Sequence, residues 1–125
     1  MFTEPTAERM NKEIEELRDS LRAFAKERNW EQFHSPKNLA TALSVEASEL
    51  LEHFQWLTDE QSRDLPKDKR TEVAEEMADV LLYLLQLTDK LQIDIMDAAR
   101  KKLHANAKKY PVERSRGNSK KYSEL

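Results

Sequence analysis

Met10, Ile14, Leu17, Leu21 and Phe24 recur at spacings of 4, 3, 4 and 3. That is one face of an α-helix, and it predicts a packing helix over residues 6–28, with Pro5 near its start. Ser35-Pro36 reads as an N-cap followed by proline at the first helical position. The helix it opens is expected to reach about Trp56, with Leu39, Leu43, Leu50, Leu51 and Phe54 inward. Thr58-Asp59-Glu60-Gln61 starts a short capped helix, and Pro66 opens the next element. There Val73, Met77, Val80, Leu84, Leu87 and Leu91 recur at spacings of 4, 3, 4, 3 and 4, widened by Leu81 and Leu85. A helix over residues 66–91 is therefore apolar nearly all round, which places it centrally. Asp94 caps a last helix with Ile95, Ala99 and Leu103 inward, and Pro111 stops it after Tyr110. Residues 111–125 lack periodicity. The expected fold is all-α, a bundle of four to five helices.

Composition narrows the chemistry. A chain of 125 residues suits one domain, and 38% hydrophobic residues give it a lean core, so some apolar stripes are expected to close against another subunit. The single glycine excludes a Gly-rich dinucleotide fingerprint and a P-loop. It also argues against a sheet rich in tight turns. Phosphate binding would have to use a metal and cationic side chains. With no cysteine there is no disulfide, thiolate zinc site or Cys nucleophile. No apolar run reaches membrane-spanning length and the acidic, polar N-terminus is not a signal peptide, so a cytoplasmic protein is expected.

Charge is unevenly spread. From Arg100 onward there are nine Lys and Arg against Glu113 and Glu124, a net of +7, so residues 1–99 carry −10 of the total −3. The basic segment suits nucleic acid, or it could fold over an acidic metal site and hold a polyphosphate. The acidic body makes general nucleic-acid binding the weaker option.

Two acid pairs carry the candidate chemistry: Glu46-Ala47-Ser48-Glu49 and Glu76-Met77-Ala78-Asp79. Residues three apart on a helix differ by about 60° around the axis, so each pair forms a two-pronged oxygen cluster. None of the four has Lys or Arg three or four places away, whereas Glu13 has Arg9, Glu16 has Lys12 and Glu72 has Lys69. Isolated acid pairs of this kind are common on solvated faces. Two pairs on the two most hydrophobic helices, joined by a short segment that permits antiparallel packing, favour a shared divalent cation. Buried unpaired carboxylates are costly and mutual repulsion protonates them; a hard cation removes both penalties. Mg²⁺, with Mn²⁺ as a substitute, fits all-oxygen ligation better than a di-iron site, because neither pair ends in His. His53 stands four residues after Glu49 and could reach the same metal, although a lone His there is more often a packing residue.

Trp30, Phe33 and His34 fall in the connector Asn29–Lys37, and such aromatics either cap a core or line a pocket. Lys102, Asn106, Lys109 and Tyr110 share a face of the last helix. These blocks, with the acid pairs, resemble the all-α nucleotide pyrophosphohydrolases of the MazG-like superfamily. The dCTP pyrophosphatase branch is matched by residues 27–39 (Glu-Arg-Asn-Trp-Glu-Gln-Phe-His-Ser-Pro-Lys-Asn-Leu), Phe54-Gln55-Trp56 and Glu75 to Val80. Lys109-Tyr110-Pro111-Val112, Ser115-Arg116-Gly117 and Lys121-Tyr122 extend the match, which covers roughly residues 20–123.

The resemblance implies hydrolysis of a deoxynucleoside triphosphate, dCTP or a modified dCTP, to monophosphate and pyrophosphate, in nucleotide-pool sanitation. Glu46, Glu49, Glu76 and Asp79 would hold Mg²⁺, and Glu46 or Glu49 would help generate the nucleophile. Trp30, His34 and Trp56 would line the base pocket, with Asn38 also assigned to substrate. Tyr83 would meet the sugar and disfavour a 2′-hydroxyl. Lys102, Asn106, Lys109, Tyr110, Arg116 and Lys121 would hold phosphates and sugar. A domain over residues 1–110 would carry a basic tail, residues 111–125, that folds over the active site. The bundle would be completed by oligomerisation into a homotetramer or homodimer. Leu21 departs from the family pattern, which has a polar ring near the base pocket, and that leaves the base open among pyrimidines. The competing reading is a non-catalytic helical interaction or nucleic-acid-binding protein with a structural metal; such an adaptor would not need the aromatic loop or the Lys/Asn/Tyr stripe.

Overall fold

The computed structural model describes residues 4–125, without the side chains of residues 4–8 and 10, so the stripe position Met10 lies outside the described residues. The helices are α1 (Glu4–Glu27), α2 (Pro36–Glu52), α3 (Asp59–Arg63), α4 (Lys67–Lys90), α5 (Ile95–Lys109) and α6 (Val112–Ser115). Single 3₁₀ turns lie at Glu31–Phe33 and Tyr122–Glu124. No strand occurs among the described residues, so the all-α expectation holds. The chain divides into two compact units, the first ending at Gln92 and the second spanning Ile93–Leu125.

The helix boundaries follow from local chemistry. Ser35 Oγ accepts from Asn38 N at 3.1 Å, and Pro36 opens α2. Thr58 and Gln61 form a reciprocal capping box for α3, at 3.1 and 2.9 Å. Asp94 Oδ1 caps α5 through Asp97 N at 3.0 Å. After α1 the chain enters the left-handed region at Asn29 (φ 53°), and Trp30 N donates back to Ala25 O at 2.9 Å. Asn tolerates that conformation better than other non-glycine residues, which lets α1 end without a glycine.

Two elements differ from expectation. α2 stops at Glu52 rather than near Trp56. Phe54 N and Leu57 N each donate three residues back, to Leu51 O and Phe54 O, both at 2.9 Å, so the chain tightens into turns before the extended cap Thr58. Residues 111–125, though aperiodic, contain α6, with Pro111 as its cap residue, and the final turn, which follows Lys121.

In the first unit α2 and α4 are the main packed pair, and α1 packs on α4. Among the described residues, Ala25, Leu39, Val73, Leu85 and Thr88 are buried. Phe24, expected inward, lies at the surface while its neighbour Ala25 is buried; close helix approach favours the small side chain. Met77 and Leu91 were also expected inward and are exposed, because a helix that is apolar nearly all round can bury only part of its circumference against α2 and α1; Leu51 of α2, expected inward as well, is exposed too. In the second unit Leu103, likewise expected inward, is 72% exposed.

Candidate functional site

The α2–α4 pairing brings the acid pairs together. Ligand oxygens of Glu46, Glu49 and Glu76 lie within 4.8 Å of one another, and each residue is half-buried. Asp79 is outside that tight group, but its charge acts on both Glu46 and Glu76. A hydrogen bond with Glu49, then burial, then the charges of Glu49, Asp79 and Glu76 push the Glu46 carboxyl up to about 7. Glu76 is raised as well, first by burial and then by Glu49. Glu46 Oε2 and Glu76 Oε2 are buried without a hydrogen-bond partner. Unsatisfied buried oxygens are rare, and an all-carboxylate set with two of them is the donor chemistry a hard divalent cation takes. The residues present fit such an ion.

The other expected residues are placed as follows. Trp30 meets Phe24 edge-on at 5.7 Å and His34 at 6.5 Å between ring centroids. The Arg28 guanidinium sits over Phe24, 3.7 Å from its centroid. Asn38 Nδ2 donates to Phe33 O at 3.0 Å and so braces the aromatic connector from α2. Trp56 is 87% exposed, beyond the end of α2. Tyr83 is half-buried one turn past Asp79.

Near the other end of α4 is a cavity that the sequence pattern did not single out. Leu21, Ala25 and Leu85 give it an apolar floor; His34, Gln86 and Asp89 supply polar groups. Arg22 from α1 grips Asp89 through both terminal oxygens, with Nε at 2.7 Å from Oδ2. That guanidinium holds the Asp89 carboxyl below its ordinary value. The pair is 67 positions apart in sequence, so no local pattern could have announced it.

In the second unit, Lys102, Asn106 and Lys109 lie along α5 at spacings of 4 and 3, on one helix face. Lys109 Nζ lies 5.0 Å from the centroid of Tyr122, and Tyr110 meets the same ring edge-on at 6.3 Å. Arg116 ends α6 and Lys121 precedes the last turn, both exposed. Gly117 takes φ 78°, the left-handed region that favours glycine.

The MazG-like family model matches residues 41–125. The chain is 41% identical over 114 residues to dCTP pyrophosphatase 1 of Mus musculus, covering 90% of this chain and 67% of that protein. The corresponding figures for dCTP pyrophosphatase 1 of Homo sapiens are 40%, 90% and 67%. A crystal structure of a pyrophosphatase from Archaeoglobus fulgidus superposes with a TM-score of 0.75 at 44% identity, covering 79% of this chain and 93% of that one. This chain belongs to the MazG-like family.

Proposed function

We propose that this protein is a Mg²⁺-dependent nucleotide pyrophosphohydrolase, converting a deoxynucleoside triphosphate, dCTP or a modified dCTP, to monophosphate and pyrophosphate in the cytoplasmic nucleotide pool. The observation that carries this is the cluster of Glu46, Glu49 and Glu76, with two buried oxygens lacking partners, in a fold shared with pyrophosphatases. Glu46, Glu49, Glu76 and Asp79 would hold the ion. When bound, Mg²⁺ would neutralise phosphate charge and acidify water. Glu46 or Glu49 would accept the proton of the attacking water at a carboxylate oxygen.

His34 and Leu21 border the cavity between α1 and α4, and Trp30 beside His34 offers a stacking face for a base. Trp56 and Asn38 are assigned to substrate on the resemblance. So are Lys102, Asn106, Lys109, Tyr110, Arg116 and Lys121, for phosphates and sugar, and the segment 111–125 is assigned to covering the active site of a domain over residues 1–110. Exposed apolar side chains on α2 and α4 support a homodimer or homotetramer.

The test is a panel of dNTPs and NTPs with Mg²⁺, with products identified. Monophosphate and pyrophosphate are expected from dCTP, falling at least a hundredfold in Glu49→Gln with helicity retained. Turnover of no nucleotide would sink the reading, and release of inorganic phosphate would reassign the bond. In the same panel Tyr83→Ala is expected to narrow the dCTP-to-CTP rate ratio; an unchanged ratio removes Tyr83 from sugar selection.

A further inference from the structure

His53 is the residue that caps the C-terminus of α2, four positions after Glu49. Its side chain is only 16% exposed and stands between two carboxylates of α4. Nδ1 lies 3.9 Å from Glu72 Oε2, and Nε2 lies 3.8 Å from Glu76 Oε1. Both separations are longer than a hydrogen bond. Glu72 and Glu76 are one turn apart, so one imidazole from α2 spans a full turn of α4. The two oxygens of Glu76 are thereby distinguished. Oε1 faces His53, while Oε2 is buried with no hydrogen-bond partner. Glu72 in turn has Lys69 at 3.6 Å, which ties the outer end of the chain of contacts to α4 itself.

A histidine that merely filled space would need neither carboxylate. His53 is also not one of the three residues whose oxygens cluster for a cation. We infer that His53 is a positioning residue for the metal site: bridging Glu72 and Glu76, it holds the Glu76 carboxylate in the rotamer that leaves its other oxygen free beside Glu46 and Glu49. This rests on the metal reading given under the proposed function. Partners behind a ligating carboxylate fix its orientation, and their removal costs roughly 10–100-fold in metal affinity.

The test is Mn²⁺ binding to the full-length protein without nucleotide, followed by the paramagnetic resonance of free Mn²⁺. Wild type, His53→Leu, His53→Gln and Glu72→Gln are compared, with helicity checked by circular dichroism. His53→Leu is expected to weaken Mn²⁺ binding roughly 10–100-fold. His53→Gln, which keeps an N–H toward Glu76, should recover most of that, and Glu72→Gln should weaken binding a few-fold. With substrate present, His53→Leu should raise the metal concentration for half-maximal rate more than it lowers the rate at saturating metal. Wild-type affinity in His53→Leu overturns the inference. Equal losses in His53→Leu and His53→Gln that track a fall in Tm overturn it too, since they report packing alone. Failure of wild type to bind Mn²⁺ removes the metal reading itself, and His53's role with it.

Discussion

At the scale of single residues, Glu46 shows how burial among like charges is written into the protein. Its ordinary value of 4.5 is moved to about 7, and Glu76 shifts the same way. A carboxyl raised by folding binds its proton more tightly in the native state than in the unfolded one. The resulting stabilisation is complete below pH 4.5 and is lost as pH rises through about 7. Metal-free protein in EDTA should therefore lose Tm between about pH 5 and pH 8. Glu46→Gln should flatten that slope and stabilise the metal-free fold at pH 8 by about 1 kcal/mol, roughly 4 °C in Tm for a chain of this size. A slope unchanged by the substitution would remove Glu46 as its source. Asp89 does not confuse the measurement: its carboxyl is lowered, so its contribution is present above 3.8 and is lost only at more acid pH.

At the scale of elements, the tie between α1 and α4 joins residues 67 positions apart in the sequence. Arg22 and Asp89 make a two-pronged pair whose carboxylate end is well shielded and whose guanidinium end is half exposed. Partial exposure screens the pair, so its worth is small. A double-mutant cycle of Arg22→Ala and Asp89→Ala in chemical denaturation should return a small favourable coupling that falls further at high salt. Additive single effects would show that the pair contributes nothing beyond its separate side chains. Much at this scale was legible beforehand. Ser35-Pro36, Thr58 with Gln61, and Asp94 each open a helix where their side-chain chemistry says they should. The end of α2 was not legible, because Phe54 and Trp56 continue the apolar pattern while the backbone has already turned toward the cap at Thr58.

At the scale of the whole molecule, the apolar surface is the outstanding feature. Met77 and Leu81, one turn apart on α4, are 53% and 40% exposed, and Leu51 on α2 is 59% exposed. Covering the part of each side chain that remains exposed is worth roughly 1 kcal/mol. A chain of 14.7 kDa is expected to sediment at two or four times its mass. The double change Met77→Glu with Leu81→Glu should lower that mass toward a single chain while helicity persists. A wild-type protein that sediments as one chain at every concentration would end the oligomer proposal.

What the sequence determined by itself is what one helix can express. Apolar spacing, capping residues and the three-residue separation within Glu46/Glu49 and Glu76/Asp79 are local quantities set by the 3.6-residue turn. The same local quantity could not say which side of α4 meets α2, since that helix is apolar nearly all round; hence Met77 was expected inside and lies outside. Only the tertiary structure decided that Glu46, Glu49 and Glu76 share one cluster while Asp79 acts on it by charge. It alone placed His53 between Glu72 and Glu76 and joined Arg22 to Asp89. Periodicity states which residues share a face of one helix, and the rotation of that face against its neighbour is set by packing between helices, where no single stretch of chain carries the information.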